Sequence, residues 1–184
     1  MSMPAVVYYS ADMVRALPED GNRYETVHGE LLVSPAPRLT HQVVLQRLAL
    51  ILGKYLEAAG FEGLFSVDAD ISWGPDLLVQ PDLFVADPDE LRREADWSEV
   101  QTLYLVVEIL SPSSLRADRF TKRRLYQEQG ISPYWVIDID NRQVEVWTPD
   151  ALFPVVEREV LTWRHPAAST ACVVDLPTLF RAMR

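Results

Sequence analysis

Leu103-Tyr-Leu-Val-Val-Glu-Ile-Leu110 is almost wholly apolar, as expected of a strand buried on both faces. Glu108 stands inside it, between Val107 and Ile109. A second such stretch, Leu77-Leu-Val-Gln-Pro-Asp-Leu-Phe-Val-Ala86, sets Asp82 directly after Pro81 and ahead of Leu-Phe-Val. An unpaired carboxylate in such surroundings costs several kcal/mol or takes up a proton. Neither acid has a Lys or Arg within four residues. Each therefore points outward at a strand end, meets a cation from elsewhere in the chain, or joins the other in binding one divalent metal. Mg²⁺ takes oxygen ligands and keeps waters, so two carboxylates without clustered His or Cys suit it better than zinc.

Working outward, the chain reads as helices at the ends and sides with strands in the middle. Ser10 caps a short helix that stops at Pro18, and Arg23-Tyr-Glu-Thr-Val and Glu30-Leu-Leu-Val form a hairpin turning at Gly29. From Thr40 to about Ala59, Val44, Leu45, Leu48, Ile51, Leu52, Tyr55 and Leu56 recur at steps of three and four, an amphipathic helix stopped near Gly60. Leu64 to Trp73 partly alternates as a strand, ending at the turn Gly74-Pro75-Asp76. Arg116 to about Gln129 reads as a helix ended by Gly130 and Pro133, and Tyr134-Trp-Val-Ile-Asp with Val144-Glu-Val-Trp forms a second hairpin. The tail holds a strand up to Val160, another at Ala171-Cys-Val-Val and a last short helix near Thr178. This order points to an α/β or α+β sandwich with one central sheet, built as a single domain over residues 1–184.

Composition narrows the function. The 184 residues are 48% hydrophobic and 24% charged, ordinary for a globular chain. With 17 basic against 27 acidic side chains the formal charge is −10, which opposes sequence-blind binding to polyanions but leaves room for a local basic groove. Cys172 is the only cysteine, so an intrachain disulfide and a four-thiolate zinc site are both excluded. No apolar run approaches the ~20 residues that span a bilayer. Met1-Ser-Met-Pro lacks the basic and apolar regions of a signal peptide. A cytoplasmic protein without a membrane partner is expected. Ser111, Ser113 and Ser114 sit in no Gly-x-Ser-x-Gly elbow, His28 and His41 are isolated, and no phosphate-binding glycine loop occurs.

The segment Leu115 to Arg124 carries Arg116, Arg119, Lys122, Arg123 and Arg124 against Asp118 alone. Asp118, Lys122 and Tyr126 are spaced by four and share a helical face. Such a run is a solvated surface face with an Asp118–Lys122 pair, or it brings a cation to the acids and phosphates to a groove.

Tyr24-Glu-Thr-Val-His-Gly-Glu-Leu, Ser34-Pro with His41 starting the long helix, Gln80-Pro-Asp-Leu-Phe-Val, Val107-Glu-Ile-Leu-Ser-Pro-Ser-Ser, Asp118-x-x-x-Lys122-x-x-x-Tyr126 and Gly130-Ile-Ser-Pro-Tyr-Trp-Val-Ile-Asp together resemble the Uma-two family. That family is the putative restriction endonuclease domain of the PD-(D/E)xK nuclease superfamily. The resemblance runs from about residue 10 to about residue 150. It implies a restriction-endonuclease-like core, a central mixed sheet flanked by helices, and a Mg²⁺- or Mn²⁺-dependent DNA endonuclease acting as a homodimer. Asp82 then matches the Asp of the Pro-Asp element and Glu108 the acid of the (D/E)xK element. Both would hold the metal with the main-chain carbonyl of Ile109. Glu30, and with it His41, match the N-terminal part of the motif, Glu30 as an outer or second-metal ligand.

The superfamily lysine would fall two residues after Glu108, where this chain has Leu110, and Lys122 fits a lysine moved to the following helix. It would orient or activate the attacking water, with Asp118 and Tyr126 as accessory groups and Arg119, Arg123 or Arg124 gripping neighbouring phosphates. The displaced lysine, the acidic surface and the lack of a separate DNA-reading domain also fit an alternative. In it, a weak or inactive nuclease-fold protein serves as an accessory factor that binds nucleic acid or protein.

Overall fold

The computed structural model describes residues 7–66, 69–91 and 96–182. After α1 (Ala11–Arg15), capped by the Ser10 hydroxyl, the chain forms the hairpin β1 (Arg23–Val27) and β2 (Glu30–Ser34). His28 and Gly29 both adopt positive φ, 50° and 78°, the two left-handed positions that a tight hairpin turn requires. The long helix is α2 (Leu39–Ala59), closed by Gly60 at φ 76°. Its N-cap is Arg38, which makes no side-chain cap, and Thr40, the first residue of the amphipathic stretch, lies inside the first turn.

The following strands separate into two sheets. β3 (Leu64–Phe65) and β4 (Ile71–Gly74) replace the single strand expected from Leu64 to Trp73, of which Val67 and Asp68 lie outside the described residues. Likewise Leu77–Ala86 divides into β5 (Leu77–Val79) and β6 (Leu83–Ala86). The break falls at Pro81, which has no N–H to give to a ladder, so the chain leaves one sheet there and enters the other. Beyond α3 (Pro88–Leu91) and a 3₁₀ turn at Trp97–Glu99 comes β7 (Leu103–Ile109). A π-helical turn, Ala117–Lys122, then runs directly into α4 (Arg123–Glu128). The remainder is β8 (Tyr134–Asp138), β9 (Gln143–Trp147), β10 (Val155–Glu157), β11 (Val160–Trp163), β12 (Cys172–Asp175) and α5 (Leu176–Leu179).

The central sheet has the order β10-β9-β8-β7-β6-β3. It is mixed, because β7 and β8 run parallel and its other pairs run antiparallel. A four-stranded sheet, β2-β1-β5-β4, and the ribbon β11-β12 complete the architecture. Leu48, Leu52 and Leu56 of α2 pack with Leu83, Val85, Leu105 and Val107 on one face of the central sheet. Each fully buried Leu contributes about 1.5–3 kcal/mol relative to exposure. Alternation sends Phe84, Ala86 and Val106 to the opposite face, against Leu125 and Tyr126 of α4. Glu108 has the parity of Val106, and Asp82 that of Phe84. In the antiparallel register Leu83 lies opposite Val107, so the next positions outward, Asp82 and Glu108, face each other at the sheet's end.

Candidate active site

Asp82 and Glu108 line one cavity of about 190 Å³ with Arg23, His41, Asp118 and Lys122. Asp82 is saturated with donors. Its Oδ1 accepts from both terminal nitrogens of Arg23 at 3.1 Å, and its Oδ2 accepts from His41 Nε2 at 3.0 Å and the Ile109 N–H at 2.8 Å. Arg23 also donates to the Gln80 carbonyl at 2.8 Å, bracing the Pro-Asp segment on both sides. Burial alone would raise the Asp82 pKa, but His41, Arg23 and the Ile109 N–H hold it down to about 2.

Lys122 is the hub of the other half. Only 3% of this residue is exposed, and its Nζ lies 2.8 Å from Glu25 Oε1, 3.0 Å from Glu108 Oε1 and 3.6 Å from Asp118 Oδ1. The Tyr126 hydroxyl donates to the same Glu108 oxygen at 3.0 Å, one turn along from Lys122. Glu25 Oε1 also accepts the Gln80 N–H at 2.7 Å, so one carboxylate ties the lysine to the segment carrying Asp82. Burial opposes charge on Lys122, yet Glu108, Glu25 and Asp118 raise its pKa, and it stays an ammonium.

Leaving His41 aside, four carboxylates (Glu25, Asp82, Glu108 and Asp118) share two permanent cations, Arg23 and Lys122. The strain of that imbalance falls on the least compensated acids. Burial pushes Glu108 well above the usual carboxylate range against the pull of Lys122, with Asp118, Asp82 and Glu25 adding to the rise. Burial likewise takes Asp118 up to about 6, and its Oδ1 is a buried acceptor with no hydrogen bond.

An excess of two negative charges on hard oxygen donors fits a divalent cation. Among the described residues no three His, Cys, Asp or Glu side chains already converge as a metal cage. Mg²⁺ asks for less: one or two carboxylates, with waters and substrate phosphate completing its shell.

A family model for putative restriction endonucleases, Uma2, matches residues 11–168. The chain belongs to the Uma2 family. Its affiliation at that level is with nucleases. No curated protein matches the chain. Among solved structures, a putative nuclease belonging to DUF820 from Anabaena variabilis superposes with a TM-score of 0.75 at 21% identity, covering 94% of this chain and 97% of that one. The likeness shows a shared fold, the mixed central sheet with flanking helices of restriction-endonuclease-like proteins.

In this Uma2 chain the structure gathers Asp82, Glu108, Lys122, His41, Asp118 and Tyr126 around one point, and Ile109 lines the same cavity. At Ile109 the recorded contact is its N–H on Asp82. It does not bring Glu30 there. Glu30 follows the hairpin turn, is exposed, and borders a separate surface depression with His28, Phe120, Arg123, Arg124 and Glu128. The acid that reaches Lys122 from this hairpin is Glu25, because β1 rather than β2 lies next to the sheet's interior.

The three arginines expected on phosphates also stand elsewhere. Arg119 is held by Asp138 at 2.7 Å and Glu145 at 2.7 Å, Arg123 lies 4.8 Å over the Trp147 ring, and Arg124 pairs with Glu128 at 3.2 Å. The π-helical turn sets this arrangement, with Lys122 inward and Arg119 and Arg123 toward β8 and β9. Sequence reasoning missed Arg23 and Glu25. The available signal was their i, i+2 spacing in Arg23-Tyr-Glu-Thr-Val, which puts two charges on the same strand face as the buried Val27.

Proposed function

We propose that the chain is a Mg²⁺- or Mn²⁺-dependent endodeoxyribonuclease of the PD-(D/E)xK type. The observation that carries this reading is the meeting of Asp82 and Glu108 across β6 and β7 at the wall of one cavity, with Lys122 bonded to Glu108. Asp82 and Glu108, with the Ile109 carbonyl, would hold the cation. When bound it supplies charge neutralisation at a phosphodiester and lowers the pKa of an attacking water. Lys122 is a cation held charged by its neighbours, so its part is to orient the water and offset charge developing on the phosphate rather than to accept a proton. Tyr126 and Glu25 fix the ammonium and Glu108 in register. His41 and Arg23 keep Asp82 ionised and aimed. Cutting both strands of DNA calls for two such sites, hence a homodimer, and a DNA substrate places the activity in the cytoplasm. No helix among the described residues is long and apolar enough to cross a membrane.

Supercoiled plasmid incubated with the protein should be nicked with Mg²⁺ or Mn²⁺ and stay intact with EDTA, and Asp82→Asn should abolish nicking. Titration calorimetry with Mn²⁺ should show binding that Glu108→Gln removes. DNA binding without any nicking would instead favour the accessory-factor reading. Mn²⁺ binding unchanged in Glu108→Gln would discard the acid pair as a metal site.

A further inference from the structure

The walls of the cavity described so far belong to its floor, and its mouth is built differently. Two proline-containing segments line it: Ser34-Pro35-Ala36-Pro37-Arg38, leading from β2 into α2, and Ser111-Pro112-Ser113-Ser114, leading from β7 into the helix that carries Lys122. Every charged side chain on the floor is engaged by an opposite charge. Arg38 is different. It is exposed, lines the cavity, and makes neither a cap nor an ion pair among the described residues. On the second segment, the Ser111 hydroxyl donates to Ser114 Oγ at 3.0 Å and lies 2.9 Å from Ser113 Oγ, and the Ser111 and Ser114 N–H groups are both bonded within this turn. The hydroxyls are thus pre-arranged, and Ser113 is exposed at the rim.

A free guanidinium and an exposed hydroxyl lining one cavity together make a receptor for a tetrahedral oxyanion. The planar fork of Arg takes two oxygens, and hydroxyls complete the set. On a chain with formal charge −10, a free cation at this mouth also offsets part of the repulsion that a polyanion meets.

We infer that Arg38, with the exposed Ser113 hydroxyl lining the same cavity, grips a backbone phosphate of the nucleic-acid strand, next to the phosphodiester that Asp82, Glu108 and Lys122 address. This rests on the nuclease reading for its ligand class. Arg38 replaces the Arg119, Arg123 and Arg124 set as the phosphate contact. Its contact is with the backbone, so it contributes affinity and register, not base preference.

The test is fluorescence anisotropy of a fluorescein-labelled 20-base-pair DNA duplex, in EDTA to prevent cleavage, over a series of KCl concentrations. Arg38→Ala should weaken binding on the order of tenfold and flatten the salt dependence by about one released counterion. Arg38→Lys should restore the salt slope but only part of the affinity, since an ammonium cannot take two oxygens at once. Arg124→Ala, an exposed cation away from the cavity, should bind as the parent does. Equal binding by Arg38→Ala and parent, or equal loss in Arg38→Ala and Arg124→Ala, overturns the inference. Arg38-dependent binding in a protein that nicks no plasmid would retain this contact and overturn the cleavage reading. A parent protein that binds no duplex overturns both.

Discussion

The helix that follows β7 feeds two polar clusters, and they are built to opposite specifications. Toward β8 and β9, Arg119 meets Asp138 and Glu145, and every carboxylate oxygen there has a donor. Asn141 gives its N–H to Asp138 Oδ1 at 3.0 Å and its side-chain amide to Oδ2 at 2.9 Å, while Trp147 Nε1 donates to Glu145 Oε2 at 3.3 Å. Toward the cavity, Lys122 and Arg23 meet four acids, and Asp118 Oδ1 goes without a donor. The first cluster is saturated at the margin of the sheet. The second is buried, under-neutralised and open to a cavity. Structural ion pairs are satisfied by the protein alone, whereas a binding site leaves part of its charge for the ligand to answer.

The sharpest way to break this contrast is to remove the cation at each centre. Lys122→Met strands Glu25, Glu108 and Asp118 in the interior and should lower stability by about 3–5 kcal/mol, read as a shift of the urea midpoint. Adding Glu25→Gln should recover part of that loss. A loss below about 1 kcal/mol would return Lys122 to the status of a surface pair. Arg119→Ala, at the more solvated cluster, should cost about 1–2 kcal/mol, with plasmid nicking retained. A selective loss of nicking there would show that both clusters serve the reaction.

Protonation should separate them by sign. Asp138 is held below its ordinary value: burial works against this, and Asn141 and Arg119 overcome it. Its stabilisation is therefore present above the unfolded pKa of about 3.8 and lost as the pH falls further. Asp118 is raised by burial to about 6, against Lys122 and Ser114. Its stabilisation is full below the unfolded value and lost as the pH rises through 6. In EDTA, the melting temperature of Asp118→Asn should accordingly gain on that of the parent between about pH 4 and pH 7, whereas Asp138→Asn should trail it by a constant margin over that range, the gap closing only below about pH 4. Parallel curves for Asp118→Asn and parent would remove the claim that the cavity is under-neutralised. The smallest effect belongs outside both clusters: Arg124→Ala breaks an exposed i, i+4 pair with Glu128 and should change stability by about 0.5 kcal/mol or less.

The acid pair and the long helix were legible because each violates or satisfies a strong local rule. Carboxylates inside apolar strands are expensive, and Leu48, Leu52 and Leu56 repeat at helical spacing. Asp118, Lys122 and Tyr126 were grouped by the same periodicity, and the structure joins them to Glu108. The hairpin acid was misplaced because alternation gives Glu25 and Glu30 to separate strands without saying which strand lies inward, and the choice depends on β1 pairing with β5. The arginines were misassigned for a related reason. Local charge records where cations are in the chain, while their partners Asp138, Glu145 and Trp147 arrive from residues beyond the helix. Splitting Leu77–Ala86 into two strands was within reach, since Pro81 cannot donate to a ladder.

The π-helical turn at Ala117–Lys122 has a consequence for how this chain tolerates insertions and deletions. A π turn closes on five residues where an α turn closes on four, so it holds one residue more than the regular path needs. Deleting one position among 119–121 would remove that surplus and let the segment close as continuous α, with α4 keeping its phase relative to what precedes it. A deletion at position 123 or 124, in the regular helix, has no such surplus to draw on and would rotate what lies on its two sides by about 100° relative to each other, so that either Lys122 would leave Glu25 and Glu108 or Leu125 and Tyr126 would leave the core. At exposed Phe120, inside the π turn, both substitution and loss leave the helix phase in place. Length is guarded in α4, and the π turn before it is where the chain has a residue to spare.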